Sequence, residues 1–299
     1  MQQVTKIPKP PARPDAGHKG TFGTVIVVGG SAAMIGAPAL CARAAFRGGA
    51  GLVKLATVAE VLPYALTVEP GATGVLLEGD ADAACDAIDA ADPDGRAVLA
   101  VGPGLGQGDW RRAMVMRLLA GSRAVVLDAD GLNALATSMK QPGDGLLKTQ
   151  QKSPARILTP HPGEFRRLAE PLGITLDPTD PAQRPDAAAA FANALREARV
   201  GCDNNVVLLK GQHTVISDGG RYAINTTGNP ALATAGSGDV LTGLTAALLA
   251  QGVPAFDAAQ LAAHLHGRAA DQWAKHHGRA GLRALDLADG IPDALNERS

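Results

Sequence analysis

In the stretch Asn229 to Gly243, NPALATAGSGDVLTG, a glycine-rich loop (Gly236, Gly238) runs into an acidic residue, Asp239, and then into the helical pattern VLTGLTAALLA. A helix start offers unpaired backbone N–H groups and a partial positive charge, and glycines let an anion approach the backbone closely. The amides of Ala235, Gly236, Ser237 and Gly238 therefore form a candidate anion hole. A carboxylate there would repel a phosphate unless it had a proton to take. Asp239 thus reads as a general base that deprotonates a hydroxyl attacking a phosphoryl group. The alternative is a helix N-cap, where Asp is favoured whatever the function.

Four other segments carry chemistry-bearing residues. AVGPGLG (Ala100 to Gly106) ends a buried strand in a loop whose Gly102 and Gly104 could bring amides against a ligand, or simply make a tight turn. LDADGLNAL (Leu127 to Leu135) puts Asp128 and Asp130 at a strand end with Asn133 one turn into a helix, a place for Mg²⁺ or polar substrate groups; capping by Asp130 is the alternative. In LTPHPGEF (Leu158 to Phe165), Pro160 and Pro162 fix the backbone around His161, which suits contact with a ligand, a structural or merely exposed histidine being the alternative, and Pro162 and Glu164 suit a first helical turn. In LLKGQHTVI (Leu208 to Ile216), Lys210 could neutralise a phosphate and Thr214 could donate a hydrogen bond, unless this is only a solvated hairpin turn. VVGGSAAMIGAPAL departs from the G-x-G-x-x-G spacing, and no acidic residue closes the next strand, which argues against a Rossmann oxidoreductase. His18, Lys19 and Gly20 are read either as folding over the site or as part of a disordered arm.

These residues need a scaffold that brings loop ends together. Short aliphatic runs predict strands at Thr24 to Gly30, Leu52 to Thr57, Ala97 to Gly102, Ala124 to Asp130, Arg156 to Pro160 and Asn205 to Gly211, with helices at Ala37 to Arg47, Asp109 to Leu119, Ala187 to Ala198, Asp239 to Ala250 and Asp257 to Lys275. That alternation implies parallel βαβ units with helices on both faces, and ligands outside the carboxyl ends of the strands. TVISD and RYAIN, separated by Gly219 and Gly220, predict an antiparallel hairpin at one edge. The polar insertions GDGLLKTQQKSP and LDPTDPAQRPD read as surface loops.

Composition sets the outer bounds. Aromatics are only 3 % of 299 residues, which suits close-packed helices on an aliphatic sheet, and the absence of a composition break favours one domain. With 28 basic and 29 acidic residues the net charge is −1, so nothing advertises a nucleic-acid or anionic-membrane surface. Cys41, Cys85 and Cys202 have neither metal-type spacing nor an even number, and no run approaches the ~18 apolar residues of a spanning helix. A soluble cytoplasmic protein is expected, with residues 1–17 as a flexible arm and 18–299 as a single domain.

Taken in order, HKGTFG, VGPGLG, DADGLN, LTPHPGEF, KGQHT and GNPALATAGSGDVLTG resemble the NAD(P)H-hydrate dehydratases of the ribokinase-like superfamily. Order and spacing together make the likeness specific. It implies a three-layer α/β/α sandwich, mostly parallel with an antiparallel edge, in a form without the separate epimerase domain that some members carry. It implies dehydration of NADHX or NADPHX with ADP, or ATP, as phosphoryl donor, releasing AMP and phosphate when ADP is used. Carried over by motif, Ala37, Gly104, Asn133, His161 and Asp239 would contact the hydrated dinucleotide. Lys210, Gly211, Gln212, His213, Thr214 and Gly238 would contact the adenosine nucleotide. Mg²⁺ is expected with the nucleotide, and a homotetramer is implied. Ile35 stands where members often have proline, and Gly131 where alanine is common. A vitamin-precursor or sugar kinase would need the same base and anion hole, and a catalytically silent nucleotide-binding protein could use the same scaffold.

Overall fold

Aliphatic runs flanked by glycine form the strands, and alanine-rich amphipathic stretches between them form the helices. In the computed structural model, which describes residues 1–140, 154–197 and 204–296, the order is β1 (Gln2–Gln3), β2 (Thr24–Val28), α1 (Gly36–Arg47), β3 (Leu52–Thr57), α2 (Leu62–Val68), β4 (Thr73–Leu76), α3 (Ala81–Ala91), β5 (Val98–Val101), α4 (Asp109–Ala120), β6 (Val125–Leu127), α5 (Ala129–Lys140), β7 (Arg156–Leu158), α6 (Pro162–Ala169), α7 (Arg184–Glu197), β8 (Asn205–Leu209), β9 (Val215–Ser217), β10 (Arg221–Ile224), α8 (Ser237–Ala250), α9 (Ala255–His277) and α10 (Ala284–Asn296).

The strands form one sheet in the order β1-β10-β9-β8-β7-β6-β5-β2-β3-β4. From β8 to β4 every pairing is parallel, whereas β9 runs antiparallel to both β8 and β10. The antiparallel edge is as expected, with one addition: Gln2 and Gln3 pair in parallel with Arg221 and Tyr222 outside it. The rest of the N-terminal segment runs over the surface, where the Lys6 carbonyl accepts from Gln260 and Arg13 donates to the Gly49 carbonyl.

Alternation along the central strands sends their side chains into two cores. Val25, Val27, Val98 and Ala100 meet α1, α8, α9 and α10 on one face. Ile26, Val28, Leu99 and Val101 meet α3, α4, α5, α6 and α7 on the other. A three-layer α/β/α sandwich results. The expected strands and helices all form, with several strands shorter than the sequence suggested: β6 stops at Leu127 and β7 at Leu158. Elements α2, β4, α3 and α10 carried no sequence expectation; β4 is a partly exposed edge strand, and α10 contains Pro292. Helix α7 begins at Arg184, inside the insertion read as a loop. Cys202, Ala198 and nearly all of the other insertion lie outside the described residues.

Candidate active site

The carboxyl ends of β5, β6, β7 and β8 and the start of α8 converge on one edge of the sheet, where the topology places ligand sites. At the centre is Asp128, the first residue after β6, 1 % exposed. Its Oδ1 accepts from Lys210 Nζ at 2.6 Å and its Oδ2 from the Thr242 hydroxyl at 2.7 Å. Lys210 follows β8 directly and lies 3.8 Å from Oε2 of the buried Glu164. Burial alone would push the Lys210 ammonium toward neutrality, but the charges of Asp128 and Glu164 outweigh it and hold the group above its ordinary range. The Lys210 cation, read from the sequence as able to neutralise a phosphate, is shared with two buried carboxylates.

Asp239 lies in the first turn of α8, at a partly buried position. Desolvation, then repulsion from Asp128 and Asp130, overcomes the pull of Lys210 and raises its carboxyl to about 7. A carboxylate so poised is matched to general-base work near neutral pH. It does not cap its helix: the N-cap is Gly236, at φ +86, and no side chain caps the turn. A Cβ at Gly236 would fall 2.7 Å from Leu40 Cδ1 and 2.9 Å from Ala284 Cβ, so both dihedral and space demand glycine.

Of the four anion-hole candidates, Ser237 is largely occupied by its own loop. Its amide faces the Thr234 carbonyl at 3.4 Å and its hydroxyl donates to the Leu232 carbonyl at 2.9 Å. The Ser237 carbonyl accepts from Nε2 of His266 at 2.9 Å. Burial above all holds this imidazole neutral, down to about 4, so it acts as a fixed donor that pins the start of α8. Gly238 faces the charged centre: a Cβ there would lie 3.5 Å from Lys210 Nζ and 3.7 Å from Asp128 Oδ2.

Lys210, Gly211, Gln212, His213, Thr214 and Gly238 line one cavity of about 520 Å³, together with Leu241, His266 and Gly267. His213 holds φ +54, an unusual value for a residue with a Cβ. Ala37 and Gly104 also adjoin, since a Cβ on Gly104 (φ +60) would come 2.9 Å from Ala37 Cβ. Asn133 lines a second cavity, of about 580 Å³, together with Asp130 and Gly106. Asp130 does not cap α5; its Oδ2 accepts from the Gly106 amide at 2.8 Å and its Oδ1 from Asn133 at 3.3 Å, tying the glycine loop after β5 to the helix after β6. Gly131 has no room for the alanine of the family pattern, a Cβ falling 2.6 Å from Leu127 Cδ1 and 2.8 Å from the Val101 carbonyl oxygen.

His161 has a local role in addition to any contact with a ligand. It is the N-cap of α6: Nδ1 accepts from the amides of Gly163 (2.9 Å) and Glu164 (3.3 Å), while Glu164 Oε2 accepts from the His161 amide at 2.7 Å. That arrangement places the proton of a neutral ring on Nε2, on a side chain half exposed. Glu164, Thr242 and His266 are the site residues the sequence reading missed. Glu164 and Thr242 stood three residues beyond His161 and Asp239, at helical spacing, whereas nothing near His266 signals its partner. His18 to Gly20 are corrected: His18 caps a turn at the amino ends of β2 and β3, where Gly51 donates to the Phe22 carbonyl, far from the strand ends that carry the site.

Among the described residues no group of three or more His, Cys, Asp or Glu is arranged to hold a metal ion. Nor is any described helix long and apolar enough to cross a membrane.

Comparison with known proteins gives the family of the chain. Residues 25–293 match the family described as NAD(P)H-hydrate dehydratase. The chain is 41 % identical over 291 residues to the ADP-dependent (S)-NAD(P)H-hydrate dehydratase of Neisseria meningitidis, covering 93 % of this chain and 86 % of that one. It is 40 % identical over 298 residues to the bifunctional NAD(P)H-hydrate repair enzyme Nnr of Moorella thermoacetica, covering 95 % of this chain and 51 % of that one. The chain thus spans about half the length of the bifunctional relatives it matches. Among solved structures, the ADP/ATP-dependent NAD(P)H-hydrate dehydratase of Bacillus subtilis, co-crystallised with ATP and Mg²⁺, superposes with a TM-score of 0.74 at 31 % identity, covering 95 % of this chain and 92 % of that one. The family match, the relatives and the fold lead to one conclusion: the chain belongs to the NAD(P)H-hydrate dehydratase family.

Proposed function

We propose that this protein dehydrates the S-epimer of NADHX or NADPHX to NADH or NADPH, using ADP as phosphoryl donor, or ATP in its place. The observation that carries the reading is Asp239, a carboxyl raised to about 7 at the start of α8, beside a glycine turn and a cavity on the Lys210 side. ADP enters that cavity, its adenosine along Lys210 to Thr214 and its terminal phosphate toward Gly238. The reduced ring lies toward Ala37 and Gly104, with His161 Nε2–H as a further donor. Asp239 takes the proton of the ring hydroxyl while the hydroxyl oxygen forms its bond to the β-phosphorus and the bond to AMP breaks. Amides at Gly236 to Gly238 and the Lys210 ammonium carry charge on the transferring group. The ring nitrogen's electron pair then expels phosphate, and loss of the neighbouring ring proton restores the double bond.

Mg²⁺ is part of the proposal as a companion of the nucleotide. Both oxygens of Asp128 are taken by Lys210 and Thr242, and those of Asp130 by Gly106 and Asn133, so these residues do not make a protein cage for it. Mg²⁺ commonly binds through substrate phosphates with few protein ligands. Cytoplasmic location rests on cysteine usage and the lack of a long apolar run in the sequence, and a homotetramer on resemblance; light scattering on eluted fractions tests the latter. A small-molecule kinase is the weaker reading, because a relative matched over 93 % of this chain carries the dehydratase name.

The test is absorbance at 340 nm on mixing protein and Mg²⁺ with NADPHX and ADP, and in parallel with ATP. A nucleotide-dependent rise supports the assignment and identifies the donor. No rise with either, in protein that binds ADP, overturns it in favour of a kinase acting on another acceptor.

A further inference from the structure

The second cavity differs from the first in charge. Arg111, Arg112, Lys140 and Arg167 line it, against two carboxylates, Asp109 and Asp130. Asp109, 99 % exposed, pairs with Arg112 at 3.3 Å, and Asp130 is committed to the Gly106 amide at 2.8 Å, so neither acid is bonded to Arg111 or Arg167 among the described residues. Arg111 is held in place, its guanidinium 4.6 Å from the Trp110 ring centroid and its Nη1 donating to the Gln107 carbonyl at 3.3 Å. Its Nε is shielded from water and has no acceptor among the described residues. Arg167 is exposed and makes no ion pair among the described residues, while Lys140 shares its charge with Glu170. Helix α4 starts at the rim with Gly108 as N-cap and no side-chain cap, adding uncapped amides to the same cavity. The nucleotide cavity, by contrast, has Lys210 as its one Lys or Arg, already shared by Asp128 and Glu164.

The two regions are joined by one loop. Gly104 adjoins Ala37, and two residues later Gly106 lines the basic cavity and is bonded to Asp130. A nicotinamide dinucleotide whose ring reached Asp239 would have to send its two phosphates and distal ribose out of the ring pocket, and the loop from Gly104 to Gly108 leads into this cavity. We propose that the basic cavity receives a phosphate group of the dinucleotide substrate, held by Arg111 and Arg167 with support from Arg112 and Lys140. This rests on the dinucleotide reading above. A bridging diphosphate or a 2′-phosphate on the distal ribose has the required chemistry, since guanidinium forks suit either.

The experiment compares wild type with Arg111→Gln, which keeps the stem against Trp110, with Arg167→Ala, and with the double variant, all checked by thermal denaturation. KM is measured for NADHX, NADPHX and ADP, and NADH and NADPH are titrated calorimetrically as binding probes independent of turnover. The expected result is a rise of about ten-fold or more in KM for the dinucleotide, weaker binding of its reduced product, and an unchanged KM for ADP. A rise for NADPHX alone identifies the 2′-phosphate, and a rise for both dinucleotides identifies the diphosphate. Unchanged KM for both, or an equal rise for ADP, overturns the proposal. Failure of the dehydratase reading would show separately, as no 340 nm rise in wild type.

Discussion

Lys210 Nζ donates to Asp128 Oδ1 at 2.6 Å, joining the residue after β8 to the residue after β6 across the intervening β7. The same Asp128 charge repels Asp239, so one buried carboxylate both anchors the site's cation and raises its base.

Replacing Asp128 with Asn should therefore move Asp239. The variant loses the repulsion that raises the Asp239 carboxyl and leaves Lys210 freer to stabilise its charge, so the acid limb of the kcat/KM profile should shift from about pH 7 to lower pH. The buried lysine also loses its nearest partner, with a loss of roughly 3 kcal/mol in stability. An acid limb that stays in place would show that Asp128 does not tune the base.

Asp239→Asn should lower turnover by about 10²-fold or more while nearly preserving ADP affinity, because the amide substitution removes the base and leaves the backbone donors. Normal turnover in this variant would sink the role given to Asp239.

The same substitution should stabilise the fold above neutral pH. A carboxyl raised in the folded state contributes stability that is fully present below its unfolded value near 4 and is lost as pH rises through about 7. Asn carries no such charge. The difference in Tm between Asp239→Asn and wild type should therefore widen in the variant's favour from pH 4 to pH 8; a constant difference would contradict the raised value.

Gly236→Ala places a Cβ against Leu40 and Ala284 at φ +86 and should cost about 1–3 kcal/mol in stability. Because the strain falls on the turn that starts α8, KM for ADP should rise together with the loss of Tm. A variant with wild-type Tm and KM would mean that the turn relaxes without consequence.

His161 is tested by a pair of substitutions. His161→Ala removes the cap of α6, at about 1 kcal/mol, and should weaken NADPHX more than ADP. His161→Asn keeps a good cap residue and should restore Tm but not the KM for NADPHX. Recovery of both would reduce His161 to a structural role.

The fold class was legible because its signals are local: aliphatic runs such as TVIVV and NVVLL alternate with helical stretches, and TVISD and RYAIN flank two glycines. The edge strand β4 and helix α2 were not, since a partly exposed strand lacks a clear apolar pattern and α2 is seven residues long with no capping side chain. In the site, Asp239, the glycine turn before it and the Lys210 loop could be named from residue types at fixed spacing along the chain.

Who touches whom could not. Asp128 and Thr242 are 114 positions apart, and Asp128 and Lys210 82, so their contact depends on β6 and β8 flanking β7 and on α8 packing against β6. Sequence by itself determined which groups were present and which loops carried them. Only the tertiary structure decided that Lys210 is shared, that His161 caps a helix, that Asp130 ties a loop to a helix and that Asp239 is raised toward neutrality. Each of these is a matter of burial and of distance through space, which spacing along the chain does not encode.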